Sequence, residues 1–142
     1  MWFSGLVSPV RQSERIEKAS AMARALIVED NELFRNHLTG FLKARFPALE
    51  VAEVCRGDQA LEEVNTFMPD LIFMDIKLPG ENGLSVTEKV KRDHPEIFVI
   101  VLTINDDRLY REAAYNSGAD FFLVKGKTSL QEMETLISSL LH

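Results

Sequence analysis

The stretch LIFMDIKLPGENGL, residues 71–84, sets an apolar run directly against a carboxylate. Leu71-Ile72-Phe73-Met74 is continuous rather than alternating, which suits a short strand covered on both faces. Pro79-Gly80 then breaks the chain into a turn. Asp75 stands at the tip of that strand. An unpaired carboxylate is costly in a core. Either Asp75 reaches solvent as a turn residue, or that end of the strand is built around a negative charge.

Working outward, four more apolar runs appear: Ala25 to Val28, Glu50 to Val54, Ile97 to Leu102 and Phe121 to Val124. The second, EVAEV, alternates and reads as an edge strand. Segments of helical period lie between and after the runs. Phe34, Leu38, Phe41 and Leu42 share a face, as do Leu61, Val64 and Met68. Leu109, Ala113 and Ala114 form a small-residue stripe. Leu130, Met133, Ile137 and Leu140 mark the last helix, which Thr128 to Gln131 opens with a capping-box pattern. His94-Pro95 closes the third helix, and Gly118 stands where a C′ residue should follow the fourth.

Strand and helix thus alternate five times. Short loops between them predict an α/β fold: parallel strands, right-handed crossovers and helices on both faces. The expected sheet is five-stranded, of order 2-1-3-4-5, with its ligand site beyond the carboxyl ends of strands 1 and 3.

The chain has 142 residues, 46% hydrophobic and 27% charged, which suits one globular domain. A net charge of −6 argues against nucleic acid as a partner. No apolar run reaches the roughly 20 residues that span a bilayer, and residues 1–23 lack the basic and apolar regions of a signal peptide. Those residues read as an extension, a tag or tail with a short helix over about Ser13 to Ala21, before a domain over 24–142. The single cysteine, Cys55, forms no intrachain disulfide, so a reducing, cytoplasmic setting is expected. Cys55 itself is expected to be buried at the end of strand 2.

The chemistry gathers after the strands. Glu29 and Asp30 follow strand 1, Asp75 strand 3, Thr103 strand 4 and Lys125 strand 5. In the expected topology all five share one sheet edge. Two like charges about 4 Å apart repel by roughly 4 kcal/mol at an effective dielectric near 20. The three carboxylates therefore call for a cation, and an all-oxygen donor set suits Mg²⁺ or Mn²⁺. Metal, ammonium and hydroxyl aimed at one carboxylate make a phosphoryl site, with Asp75 as nucleophile.

On Glu29-Asp30 in LIVEDN, Asp75 in LIFMDIKLPGENGL, Thr103 in VLTIND and Lys125 in FFLVKG, the chain resembles the receiver domain of two-component response regulators, from Arg24 to about Leu141. The resemblance implies a flavodoxin-like fold. It implies that Asp75 accepts a phosphoryl group from a histidine kinase or phosphotransfer protein. Glu29, Asp30, Asp75 and the backbone carbonyl of Lys77 would bind Mg²⁺. Lys125 would pair with the phosphoryl group, and Thr103 and Phe122 would act as the switch pair. Two departures stand out: Gly126 where the family usually has proline, and Glu rather than the commoner Asp at position 29.

A stand-alone switch is expected, not an enzyme in the usual sense. Its output would run through a downstream protein or a homodimer on helix 4, strand 5 and helix 5. A phosphoryl shuttle and an inactive docking module are the alternatives. A haloacid-dehalogenase-type phosphatase would need an acid where Lys77 stands, and a flavin binder would not place Glu29-Asp30 where a phosphate must sit. His37, His94 and His142, and the run Lys89, Lys91, Arg92, read as surface. The leucines and Met133 of the last helix read as core.

Overall fold

A computed structural model describes residues 23–141. The expected extension over 1–23 and its short helix, together with His142, fall outside them apart from Ala23. In chain order the elements are β1 (Arg24–Val28), α1 (Glu32–Arg45), β2 (Glu50–Val54), α2 (Gly57–Phe67), β3 (Leu71–Met74), α3 (Gly83–Asp93), β4 (Phe98–Thr103), α4 (Arg108–Asn116), β5 (Phe121–Val124) and α5 (Leu130–Leu140). All strand pairs are parallel, and the sheet order is β2-β1-β3-β4-β5. This is the expected doubly wound sheet, with β2 on its edge.

Alternate residues of each inner strand feed two cores. Leu26, Val28, Ile72, Met74, Val99 and Val101 pack with Ala60, Val64, Val86, Val90 and Ala114, so α2, α3 and α4 cover one face. Ala25, Ile27, Leu71, Phe73, Ile100 and Leu102 pack with Leu38, Leu42, Met133 and Ile137, so α1 and α5 cover the other. All four residues of β3 are buried, and each such side chain contributes about 1.5–3 kcal/mol by leaving water. Among the described residues no helix is long and apolar enough to cross a membrane.

Asn31 caps α1 by accepting from the Phe34 N–H at 2.9 Å. Two local expectations hold. His94 is the C-cap of α3. Gly118 follows the C-cap Ser117 of α4 with φ +100°, the left-handed region that favours glycine.

Others need correction. The capping box of α5 lies one residue later, on Ser129 and Glu132, with bonds of 3.0 and 2.9 Å. β4 ends on Thr103 rather than before it. Met68, Leu109 and Leu130 are exposed, not core. Leu109 and Leu130 stand in the first turns of their helices, and Met68 leaves the helical path as a left-handed C-cap at φ 51°. Cys55 is exposed, because β2 is an edge strand that ends just before it. Lys91 is not a solvated residue: its ammonium bonds Asp120 at 2.9 Å and the Ile97 carbonyl at 2.8 Å, tying α3 to β4. His37 is exposed. His94 is half-buried, with Nε2 3.2 Å from Asn65 Oδ1.

Candidate phosphoryl-acceptor site

Parallel strands end in register, so residues that follow them meet at one edge. The backbone enforces this. The Asp75 N–H donates to the Val28 carbonyl at 3.1 Å, the Glu29 N–H to Val54 at 2.9 Å, and the Lys125 N–H to Thr103 at 2.8 Å. Glu29, Asp30 and Asp75 each offer a carboxylate oxygen, all within 4.8 Å of one another. An all-carboxylate set at this spacing fits a hard divalent cation such as Mg²⁺ or Mn²⁺.

Lys125, the residue after β5, crosses this cluster. Its Nζ lies 2.6 Å from Glu29 Oε1 and 3.3 Å from Asp75 Oδ2. The three side chains are only 11%, 4% and 12% exposed, in the order Lys125, Glu29, Asp75. The ammonium thus holds two buried carboxylates together, while Asp30 stays exposed. The longer Glu at position 29 is what takes the shorter bond. Burial pushes the Glu29 carboxyl above its ordinary 4.5; hydrogen bonds from Lys125 and the Asn31 N–H pull it back, and the Asp75 charge adds to the rise. Asp75 Oδ1 accepts from the Ile76 N–H at 2.8 Å, which fixes the carboxylate's orientation.

Thr103 is 1% exposed, and its hydroxyl oxygen accepts a long bond, 3.4 Å, from the Asn105 N–H. Asn105 Nδ2, in the same loop, is buried without a partner. Phe122 is already inside, 5% exposed, with the Arg111 guanidinium 4.7 Å from its ring centroid. Lys77 is exposed, its ammonium 5.8 Å from the Tyr110 ring centroid. Gly126 has φ +83° and a trans peptide, so the loop after Lys125 follows a path closed to proline, whose φ is fixed near −65°.

The structure therefore gathers Glu29, Asp30, Asp75 and Lys125 in one site, with the backbone of Thr103 bonded to that of Lys125. Two further residues shape it and carry no sequence signal for doing so. Gly83 lets the start of α3 approach the Asp75 backbone. Phe34, whose spacing on α1 marks it only as core, sets its ring centroid 4.3 Å from Lys125 Nζ.

Known proteins share this architecture. The family model of the response regulator receiver domain matches residues 25–138. The response regulator GacA of Pseudomonas viridiflava is 32% identical over 112 residues, 79% of this chain and 52% of that protein. The transcriptional regulatory protein DegU of Brevibacillus brevis is 37% identical over 101 residues, 70% of this chain and 42% of that one. The chain spans about half the length of the curated relatives it matches. Among solved structures, the signal receiver domain of a DNA binding response regulator protein from Colwellia psychrerythraea 34H superposes with a TM-score of 0.79 at 25% identity, covering 84% of this chain and 98% of that one. With the family model matched over residues 25–138 and a parallel sheet of order β2-β1-β3-β4-β5, the chain belongs to the response regulator receiver domain family.

Proposed function

We propose that the chain is a phosphorylation-dependent signalling switch that accepts a phosphoryl group on Asp75 from a histidine kinase or phosphotransfer protein. The observation that carries this reading is the position of Lys125, bonded at once to Glu29 and Asp75 beside a cluster of three carboxylates. Glu29, Asp30, Asp75 and the carbonyl of Lys77 would hold Mg²⁺ or Mn²⁺. When bound, that ion neutralises charge on the phosphoryl oxygens.

An Asp75 carboxylate oxygen attacks phosphorus. The P–O bond forms as the P–N bond of the donor phosphohistidine breaks, its electron pair returning to the imidazole nitrogen. The Ile76 N–H keeps the other oxygen from rotating. Lys125 moves its bond from the Asp75 oxygen to the incoming phosphoryl group while Glu29 retains its hold. The chain promotes phosphoryl uptake and loss on itself and turns over no separate substrate.

Thr103 would carry the signal by moving its hydroxyl toward the phosphoryl group. Its carbonyl accepts from Lys125, so strand ends 4 and 5 move together. Phe122 already fills its place, so its role in switching is to release or tighten the Arg111 contact on the surface of α4, β5 and α5. That surface is the proposed contact for a downstream protein or a second copy. Nucleic acid is no partner of this unit, whose net charge is −6. An exposed unpaired Cys55 suits the cytoplasm. The stretch that matches GacA is about half of that protein, so the expected stand-alone form forms no part of the proposal.

Intact mass after incubation with phosphoramidate tests the reading. One phosphoryl group should be gained with Mg²⁺ and none with EDTA, and Asp75→Asn should gain none. Equal labelling of Asp75→Asn would overturn the assignment.

A further inference from the structure

Three neighbours meet the Lys125 ammonium. Two are the carboxylates of Glu29, at 2.6 Å, and Asp75, at 3.3 Å; the third is the Phe34 ring, its centroid 4.3 Å away. An ammonium carries three N–H donors. With two directed at carboxylates, the negative face of an aromatic ring is a suitable third partner. The Lys125 side chain is only 11% exposed, so water competes weakly for that place.

The surroundings give this contact a task. Gly126 adopts φ +83°, and apart from its two chain neighbours no heavy atom lies within 4 Å of the point where its Cβ would stand, so nothing from the rest of the fold packs on the loop there. A cavity of about 220 Å³ opens between α1 and α5, bordered by Phe34, Leu38, Leu102, Lys125, Gly126 and Met133. The lysine stem has room to swing on that side.

We propose that Phe34 is a positioning residue for Lys125. Its ring holds the ammonium over the carboxylates and keeps the stem out of the cavity, in a chain whose loop after the lysine is a glycine. The inference rests on the reading of Asp75 as phosphoacceptor.

The test replaces Phe34 with 4-fluoro-, 3,5-difluoro- and 3,4,5-trifluorophenylalanine, which drain the ring face with little change of shape. Phosphoryl uptake from phosphoramidate with Mg²⁺ should slow stepwise along the series while the melting temperature stays nearly constant. Phe34→Tyr, which keeps the face, should stay near the wild-type rate. Phe34→Leu should slow uptake by about threefold to thirtyfold, the span of cation–π strengths. A flat rate along the fluorinated series, with Asp75 still labelled in the wild type, would overturn the inference and leave the function intact. A wild type that never gains a phosphoryl group would instead overturn the function. In that event the Lys125 Cε protons decide for Phe34. They should be ring-shifted upfield in the wild type and return on Phe34→Leu, and equal positions in the two proteins would overturn the contact.

Discussion

A Cβ placed on Gly83 would lie 1.8 Å from the backbone oxygen of Asp75. The first turn of α3 therefore packs directly on the peptide that carries the proposed acceptor carboxylate. The Gly83 N–H, bonded to the Ile76 carbonyl at 2.8 Å, fixes the same approach. Since backbone cannot yield as a side-chain tip can, Gly83→Ala should cost about 1–3 kcal/mol, read as a lower urea midpoint with an unchanged slope. It should also slow phosphoryl uptake. An alanine variant of wild-type stability would mean that α3 backs away freely.

Lys125→Met should leave two carboxylates buried without their cation. Breaking such a pair costs about 3–5 kcal/mol. Mg²⁺ should restore some of the loss by binding the native state, worth about 2.7 kcal/mol at a hundredfold excess over its dissociation constant. Thermal melts with Mg²⁺ and with EDTA read both effects. Asp30→Ala and Asp75→Ala should each blunt the metal response, and a melting temperature indifferent to Mg²⁺ in every protein would count against an ion in this cluster.

At Gly126 the constraint is conformational. Apart from its chain neighbours no atom lies near a Cβ there, but φ is +83°. Gly126→Ala should cost about 1–2 kcal/mol through the left-handed backbone alone. Gly126→Pro should cost more, although proline is the usual family residue, because its ring cannot reach that φ. Urea denaturation of the two variants gives the order; a proline variant as stable as wild type would show that the loop can take a second path.

The fold was legible where one physical rule acted alone. Continuous apolar runs announced buried strands, and acids after strands 1 and 3 announced the site. The rest was decided by more than one rule at once. Thr128-x-x-Gln131 and Ser129-x-x-Glu132 both satisfy the capping pattern; the chain takes the second, with Met133 and Ile137 packed against the sheet. Leu109 and Leu130 keep helical spacing yet begin their helices, beyond the layer that would cover them. Phe34 obeys its helical period and still faces Lys125, just past the last strand, a contact that no local pattern records.

Glu132 supplies a pH dependence. Its bonds with Ser129 hold its carboxyl below the ordinary 4.5. A depressed folded-state value means stability that is present above 4.5 and lost as pH falls through the folded value. The stability gap between wild type and Glu132→Ala should therefore narrow as pH drops below that window. Ser129→Ala, which removes the cap itself, should cost about 0.5–2 kcal/mol at neutral pH. A Glu132→Ala gap independent of pH would place its effect elsewhere.

Amide spectra with and without beryllofluoride should separate a switch from a shuttle. Shifts running from Asp75 through Thr103 to Tyr110, Ala114 and Phe122 are expected. Moving a 1:99 equilibrium to 99:1 takes about 5.5 kcal/mol, so partial shifts are consistent with a partner supplying the remainder. Shifts confined to residues around Asp75 would favour a shuttle that passes the group on without changing shape.

The edge strand β2 has a consequence of its own. An open strand edge is a template on which a foreign chain can add itself. Here Glu50 and Glu53 stand on that edge, held by Arg24 at 3.5 Å and Arg35 at 3.4 Å. A strand arriving to extend the sheet would have to lay its own side chains beside these charges, a poor setting for an apolar segment. Neutralising the two glutamates would remove that guard and should favour edge-to-edge association of copies of the chain.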